Sequence, residues 1–327
     1  MQAVVRAESW PIRGGFRIAR GTRSTADVLV VELHDGGAVG RGECVPYARY
    51  GESLDSVGAL LEATTKGLER SAAAEHIAAL PAGAARNALD CALWDLRGKL
   101  AGAPVWKLAG LGSAAAAVST MRTVSVDSPE AMAKVARGLL HARVIKVKVD
   151  GGPDLERLAA VHAAAPSARL VVDANESWSI EQTRAWLPAL PELGVAVLEQ
   201  PLPAGADDAL RSLDRAVPIC ADESFHDRGS LSEIRGCYDL VNVKLDKAGG
   251  LTEALACVRE ARNQGLPFMV GCMVSSSLAI EPALLLAGGA AYVDLDGALL
   301  LESDREGARH ERETGLIRPS PSIWGGG

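Results

Sequence analysis

Seven short apolar runs between residues 144 and 296 decide the fold of this chain. They are VIKVKV (144–149), RLVVDA (169–174), VAVLEQ (195–200), VPICAD (217–222), LVNVKL (240–245), PFMVGC (267–272) and YVDLD (292–296). The residues that close the runs, from Lys148 in the first to Asp294 in the last, lie 22 to 28 positions apart. A continuously apolar run followed by a helix-like stretch is typical of a strand in a parallel sheet. Each interval therefore fits one βα unit.

An eighth strand is predicted at VSTMRTVSV (118–126), before the first of these runs. Eight parallel strands are enough to close a barrel of the TIM type with helices outside. The segment 116–303 is short for such a barrel, so we expect a (β/α)7β form in which the last helix is shortened or missing. An open doubly wound sheet is the rival architecture.

A different pattern precedes the barrel. Polar and apolar residues alternate in FRIAR (16–20) and DVLVVEL (27–33), and HDGG (34–37) predicts a turn before AVGRGEC (38–44). Two helix-like stretches follow, at residues 53–69 and 84–102. We therefore divide the chain into an α+β domain at 1–115, the barrel at 116–303 and a polar tail at 304–327 that returns to the first domain.

Composition narrows the classes of function. The 327 residues include 48% hydrophobic residues and carry a net charge of −7 without a basic run, which disfavours a nucleic-acid partner. No stretch has the length and polarity of a signal peptide or a membrane span, so a cytoplasmic location is expected. The six cysteines are scattered singly and predict reduced thiols. Apolar residues on the outer helices would permit a homo-oligomer.

Three carboxylates end successive predicted strands. Asp173, Glu199 and Asp222 close strands three, four and five, and the carboxyl ends of barrel strands meet at one mouth. Adjacent carboxylates repel one another, and a hard divalent cation with oxygen ligands would offset that repulsion. We therefore predict Mg²⁺ here; zinc is disfavoured because no His or Cys stands at these positions. Helix capping is the alternative role for each acid taken singly.

Lysines stand on both sides of the predicted metal site. Lys146 and Lys148 are two apart on strand two and so point to the same side, while Lys244 ends strand six. Strands two and six of an eight-stranded barrel are opposite each other. A planar carbanion between Lys148 and Lys244 could lose a proton to one and regain it from the other on the reverse face, which inverts a stereocentre. The ordinary alternative is a solvated lysine.

The last strand carries two further carboxylates. Asp294 and Asp296 in YVDLDG lie on one face of strand eight, across from strand four. A pair of carboxylates set apart from the metal suits a substrate ammonium group. An aspartate pair in the turn before Gly297 is the alternative.

The motifs KVK, DAN, EQP, ADES, NVKLDKAGG and VDLDG, in this order, resemble the enolase superfamily, in which a Lys or His base acts with Mg²⁺. The paired lysines resemble its muconate lactonizing subgroup. Within that subgroup, the DxD motif and the segments FRIARGTRSTAD (16–27) and GECVPYARYGES (42–53) are similar to the dipeptide epimerases, especially bacterial L-Ala-D/L-Glu epimerases. The resemblance implies that the α+β domain caps the barrel, that Asp173, Glu199 and Asp222 bind Mg²⁺, and that the substrate is a small dipeptide.

The same resemblance implies substrate contacts. The DxD motif, Asp294 and Asp296, would hold the amino group of the dipeptide. An arginine of the segment FRIARGTRSTAD would reach an acidic side chain of the substrate; this is Arg23, with Arg20 as the alternative. Thr123 matches a position near the substrate, and Lys146 would help to hold the carboxylate. We give no catalytic role to GECVPYARYGES.

The expected activity is epimerisation by two-base 1,1-proton transfer at the α-carbon of the C-terminal residue, in the recycling of cell-wall peptides. Rival lysine-pair enzymes of this fold are a cycloisomerase, an o-succinylbenzoate synthase and an N-acylamino acid racemase. The DxD argues against them because their substrates lack a free ammonium group. A non-catalytic barrel that only binds a ligand is a rival of another class.

Overall fold

A three-stranded antiparallel sheet opens the chain in the computed structural model, which describes residues 1–326. Its strands are β1 (Gln2–Ile18), β2 (Gly21–Asp35) and β3 (Ala38–Cys44). The helices that follow are α1 (Leu54–Thr65), α2 (Ala73–Ala78), α3 (Ala84–Ala101) and α4 (Val105–Leu108). Helix α3 lies so close to β3 that a Cβ on Gly42 would come within 2.1 Å of the Ala88 carbonyl oxygen. Only glycine fits at that position.

The eight barrel strands run parallel and pair in chain order. After the short β4 (Val118–Ser119) they are β5 (Arg122–Val124), β6 (Val144–Lys148), β7 (Arg169–Asp173), β8 (Val195–Glu199), β9 (Ile219–Ala221), β10 (Leu240–Lys244), β11 (Phe268–Gly271) and β12 (Tyr292–Asp294). The ends of this sheet meet where Met121 N donates to the Val293 carbonyl at 2.8 Å. The predicted TIM-type barrel is confirmed, and the open doubly wound sheet is wrong because that sheet requires a reversal of strand order.

Helices cover the outside of the barrel. They are α5 (Pro129–Arg137), α6 (Asp154–Ala164), α7 (Ile180–Trp186), α8 (Ser230–Glu233), α9 (Leu245–Ala248), α10 (Leu251–Asn263) and α11 (Ser277–Leu284). Ser128 and Ser179 begin α5 and α7 by accepting hydrogen bonds from the first turn. After β8 and after β12 the chain forms 3₁₀ helices, Asp207–Ser212 and Gly297–Leu300, in place of an α-helix. Within residues 1–326 no helix is long and apolar enough to cross a membrane.

The predicted first strand, VSTMRTVSV (118–126), is wrong in its extent. Its beginning, β4, pairs antiparallel with β14 (Leu316–Ile317), which pairs with β13 (His310–Glu311). The change of partner occurs at Thr120, whose N–H donates to the Gly315 carbonyl at 2.9 Å, one residue before Met121 joins β12. Long-range pairing with the tail, not local pattern, divides this run into two strands.

The tail also contacts the N-terminal helices. Trp324 Nε1 donates to the Cys91 carbonyl at 3.0 Å, and Gly325 N donates to Asp95 Oδ1 at 2.9 Å. Apolar side chains fill the barrel interior: Met121, Val171, Val197, Cys220, Leu240 and Met269. The six cysteines are free thiols. The domain boundaries drawn at 115/116 and 303/304 stay a prediction.

Candidate active site

A cavity of about 190 Å³ lies at the carboxyl ends of the barrel strands. The hairpin of β1 and β2 forms its other wall. Eight of the ten site residues predicted from the sequence line this cavity: Arg23, Thr123, Lys146, Lys148, Asp222, Lys244, Asp294 and Asp296. Asp173 and Glu199 do not line it; both are fully buried and contact Lys146, which does. The barrel thus brings together side chains up to 173 positions apart in sequence.

The three predicted metal ligands form one cluster. Asp173 and Glu199 are the last residues of β7 and β8, and Asp222 follows β9. One oxygen from each carboxylate lies within 4.8 Å of the other two. Within residues 1–326 this is the one group of His, Cys, Asp and Glu side chains with such spacing.

Lys146 lies among these carboxylates. Its Nζ is 3.1 Å from Asp173 Oδ2, 2.8 Å from Glu199 Oε2 and 2.7 Å from Asp294 Oδ2. Burial alone would lower the pKa of Lys146, but the negative charges of Asp173, Asp294 and Glu199 outweigh burial and raise it. Lys146 is therefore a fixed ammonium group in this structure.

Lys148 and Lys244 face the cavity from opposite walls. They end β6 and β10, and three strands separate these two in either direction around the barrel. Lys148 Nζ donates to Asp173 Oδ2 at 2.5 Å and Asn175 Oδ1 at 3.2 Å. Lys244 Nζ donates to Asp222 Oδ2 at 2.7 Å. A molecule in the cavity therefore has one amine on each side.

The charge balance of the cluster fits a hard divalent cation. Burial tends to raise the pKa of Asp173 and Asp222, but neighbouring lysines hold the pKa of both below its usual range. The negative charge of Glu199 is less fully compensated by lysines, and burial and the charge of Asp173 raise its pKa to about 7. Its Oε2 lies 2.8 Å from Lys146 Nζ but has no donor in hydrogen-bond geometry. An all-oxygen cluster with an unsatisfied buried carboxylate oxygen matches what Mg²⁺ prefers.

The DxD carboxylates occupy the wall formed by β12. Asp296 Oδ2 accepts a hydrogen bond from Thr123 N at 2.7 Å. Burial and the charge of Asp294 raise the pKa of Asp296 to about 6. Since both side chains line the cavity, they form an electronegative end that would attract a cationic group.

Arg20 and Arg23, at the tip of the β1–β2 hairpin, differ in their contacts. Arg20 Nη2 is 2.7 Å from Glu223 Oε1, and its Nη1 is 3.1 Å from Glu176 Oε2. Arg23 is exposed and forms no salt bridge with residues 1–326; its guanidinium lies 5.0 Å from the centre of the Tyr47 ring. Arg23 is therefore the one of the two whose charge is available to a ligand in the cavity.

Comparison with known proteins shows the family. Residues 1–110 match the mandelate racemase / muconate lactonizing enzyme N-terminal domain, and residues 129–317 match the enolase C-terminal domain-like family. The chain is 48% identical over 304 residues to the L-Ala-D/L-Glu epimerase of Escherichia coli (strain K12), covering 92% of this chain and 94% of that one. It is 42% identical to an N-acetyl-D-glutamate racemase of Pseudoalteromonas sp, covering 91% and 95%.

Solved structures give the same result. An enolase family member from Agrobacterium tumefaciens with bound sodium and L-Ala-L-Glu superposes with a TM-score of 0.94 at 43% identity, covering 99% of both chains. A dipeptide epimerase from Enterococcus faecalis V583, complexed with Mg and L-Leu-L-Tyr, gives 0.89 at 29% identity, covering 97% and 96%.

The chain belongs to the dipeptide epimerases of the enolase superfamily. The family predicted from the motifs is thereby confirmed, whereas the role of each site residue stays a prediction.

Sequence reasoning missed several residues of this epimerase-family site that contact the predicted metal ligands. Lys247 Nζ donates to Asp222 Oδ1 at 2.6 Å, and burial is the main reason that the pKa of Lys247 is lowered. Asn242 Nδ2 donates to Glu199 Oε1 at 2.8 Å, and Gln200 Oε1 accepts from Asp222 N at 2.9 Å. All three lie within the motifs NVKLDKAGG and EQP, but only the fold shows that Lys247 and Asn242 contact carboxylates and that Gln200 contacts the backbone of Asp222.

The segment GECVPYARYGES also contributes more than an ordinary loop. Tyr47 and Tyr50 line the cavity, and burial together with the charge of Asp222 raises the pKa of Tyr50. Glu43 is buried and accepts from Ser276 N at 2.8 Å and Arg305 Nη2 at 2.6 Å, which ties β3 to the barrel. No sequence signal distinguished these residues from loop residues.

Proposed function

We propose that this chain is a Mg²⁺-dependent dipeptide epimerase that interconverts L-Ala-D-Glu and L-Ala-L-Glu by moving the α-proton of the C-terminal residue. One observation carries the proposal: Lys148 and Lys244 face one cavity from opposite barrel walls beside a carboxylate cluster. The 48% identity to the Escherichia coli epimerase supports the choice of substrate.

The carboxylate of the C-terminal residue would bind at the cluster. Held by Asp173, Glu199 and Asp222, Mg²⁺ supplies positive charge where negative charge develops on the substrate carboxylate. The Lys146 ammonium, which already lies among these side chains, adds a second positive charge. Lowering the energy of that charged species makes the α-proton removable by an amine.

Lys148 and Lys244 act as a pair in opposite protonation states. A neutral lysine takes the α-proton from one face, and the ammonium of the other delivers a proton to the opposite face. One lysine starts neutral and the other charged, and the reaction exchanges these states. Because each lysine reaches only one face, inversion requires both.

The remaining contacts select the substrate. Asp294 and Asp296 would pair with the amino group of the dipeptide, with Asp296 fixed by the Thr123 backbone. Arg23 would pair with the side-chain carboxylate of glutamate. The bound L-Ala-L-Glu in the Agrobacterium tumefaciens structure supports an acidic dipeptide. A cytoplasmic location and a role in the recycling of cell-wall peptides belong to this proposal.

Racemisation of an N-acylated glutamate is the second candidate, because the Pseudoalteromonas racemase is 42% identical to this chain. Such a substrate keeps the two carboxylates but lacks the ammonium group. It would gain nothing from the negative charge of Asp296. The DxD therefore discriminates between the two candidates.

Proton NMR in D₂O with Mg²⁺ tests the proposal. L-Ala-D-Glu and L-Ala-L-Glu should each lose the α-proton signal of Glu and give rise to the other diastereomer, faster than N-acetylglutamate exchanges. The Asp296→Asn variant should raise KM for the dipeptides roughly tenfold and leave N-acetylglutamate unaffected. Faster turnover of N-acetylglutamate would support the second candidate, and no exchange of any of the three would contradict both.

A further inference from the structure

Arg20 fastens the tip of the β1–β2 hairpin to two loops of the barrel. Its Nη2 donates to Glu223 Oε1 at 2.7 Å, and its Nη1 donates to the Asn175 carbonyl at 3.0 Å and to Glu176 Oε2 at 3.1 Å. Asn175 and Glu176 follow the third barrel strand, and Glu223 follows the fifth. One capping-domain side chain therefore connects loops on either side of the fourth strand.

Glu223 links Arg20 to the side-chain amide of Asn175. Its side chain is only 1% exposed, and Oε1 accepts from Asn175 Nδ2 at 3.2 Å as well as from Arg20. Because Glu223 Oε1 acts as the acceptor for both Arg20 and Asn175, the amide group of Asn175 that faces it is the NH₂ donor. The carbonyl oxygen of the same amide then points the other way, where it accepts from Lys148 Nζ at 3.2 Å.

The backbone that carries this amide is also held by bonds that involve neither Arg20 nor Glu223. Asn175 and Glu176 have φ values of 44° and 71°, in the left-handed region, which asparagine tolerates better than glutamate does. Asn175 N donates to Asp173 Oδ1 at 2.9 Å, and the Glu176 carboxylate accepts from Arg49 at 2.6 Å and from Ala204 N at 2.8 Å. The place of Asn175 is thus fixed by several bonds, whereas the direction of its amide depends on Glu223.

We propose that Arg20 is a positioning residue for Lys148, acting through Glu223 and Asn175. The contact of the hairpin tip with the barrel loops would then align the amine of Lys148, without Arg20 touching the substrate. Lys244 bonds to Asp222 and is not part of this chain of contacts. The inference rests on the proposed two-base function, and it requires that loss of Arg20 weakens proton transfer on one substrate face only.

Exchange of the α-proton for deuterium, measured separately for each epimer, resolves the two faces. Lys148→Ala and Lys244→Ala first identify which epimer presents its proton to which lysine. In Arg20→Ala, we expect exchange of the epimer whose α-proton faces Lys148 to slow about tenfold, as for one lost hydrogen bond. The exchange rate of the other epimer should stay within about twofold of that of the unsubstituted protein, and KM should change little.

Arg49→Ala is the matched control, because Arg49 is a capping-domain arginine that binds Glu176 but neither Glu223 nor Asn175. This substitution should leave the rate of α-proton exchange unchanged on both faces of the substrate. Glu223→Gln should reproduce the one-sided loss, since a glutamine can donate as well as accept and no longer fixes the amide of Asn175. The double variant Arg20→Ala/Glu223→Gln should be no slower than the slower single variant.

Three outcomes would overturn the inference and leave the proposed function standing. They are equal slowing of exchange on both faces in Arg20→Ala, no slowing on either face in Arg20→Ala, and the same one-sided slowing in Arg49→Ala. Absence of exchange in the unsubstituted protein would overturn both. If Arg20→Ala is too unstable to purify, Arg20→Lys and Glu223→Gln apply the same criterion.

Discussion

The barrel mouth and the tip of the β1–β2 hairpin face the same cavity but are stabilised by different physics. At the mouth, Asp173, Glu199 and Asp222 are buried and paired with lysines. At the tip, Arg23 is exposed and free of salt bridges with residues 1–326. Removal of one member of a buried charge set leaves an uncompensated charge, whereas an exposed side chain can change at little cost to the fold. On the proposed function, the barrel mouth carries the chemistry and the hairpin tip the selectivity for the substrate.

Metal removal should have the largest effect, because it affects the mouth as a whole. Dialysis against EDTA should abolish exchange of both epimers, and Mg²⁺ should restore it. The measurement is the α-proton signal in D₂O, with circular dichroism as the control for fold. Exchange that persists in EDTA would contradict the assignment of the carboxylate cluster to a metal.

Removal of a single lysine should separate the two faces of the mouth. Lys148→Ala and Lys244→Ala should each lower epimerisation by about a thousandfold or more, since each deletes one proton-transfer group. Either variant should still exchange the proton of one epimer. Normal epimerase activity in one of them would refute the two-base assignment.

The junction between the barrel and the N-terminal domain predicts a pH effect on stability. Asp246, just after β10, accepts from Val45 N at 3.0 Å and Asn87 Nδ2 at 2.9 Å. Burial is the main cause that raises its pKa to about 7. The folded protein therefore holds this proton more tightly than the unfolded chain, and the stability gained from the protonated form is lost as pH rises through about 7.

Relative to Asp246→Asn, the unsubstituted protein should lose about 2 kcal/mol of unfolding free energy between pH 5.5 and 8. Urea unfolding at the two pH values measures this difference. Asp208→Asn is the control, because the Asp208 side chain is 89% exposed. A stability difference between the proteins that does not vary with pH would contradict the prediction.

The smallest effect is expected at the hairpin tip. Arg23→Ala should raise KM for L-Ala-L-Glu roughly tenfold, through loss of one charge-assisted pair, with little change in kcat or in KM for L-Ala-L-Ala. Steady-state kinetics with both dipeptides measure this. Arg13→Ala is the matched control, since Arg13 is exposed on β1 outside the cavity. Equal effects on both dipeptides would remove Arg23 from acidic selectivity.

Sequence predicted the mouth better than the tip, for a physical reason. A charged residue that ends an apolar strand, such as Lys244, has a location fixed by strand order alone. The contacts of Arg20 depend on how the hairpin sits against loops 155 or more positions away, which no local pattern encodes. The same limit applies to Lys247, which stands three residues after Lys244 and whose bond to Asp222 arises from the turn into α9. It applies also to Thr120, where pairing with the tail divided a run that local alternation made continuous.

The contacts of Trp324 and Gly325 with α3 have a consequence for synthesis of the chain. Their partners Cys91 and Asp95 are 233 and 230 positions earlier. During translation, the N-terminal sheet and α3 leave the ribosome first, but they must wait for the whole barrel to be made before these bonds can form. The capping domain is therefore among the first parts to be made and among the last to be completed, so the cavity it covers is finished only after the barrel has been translated.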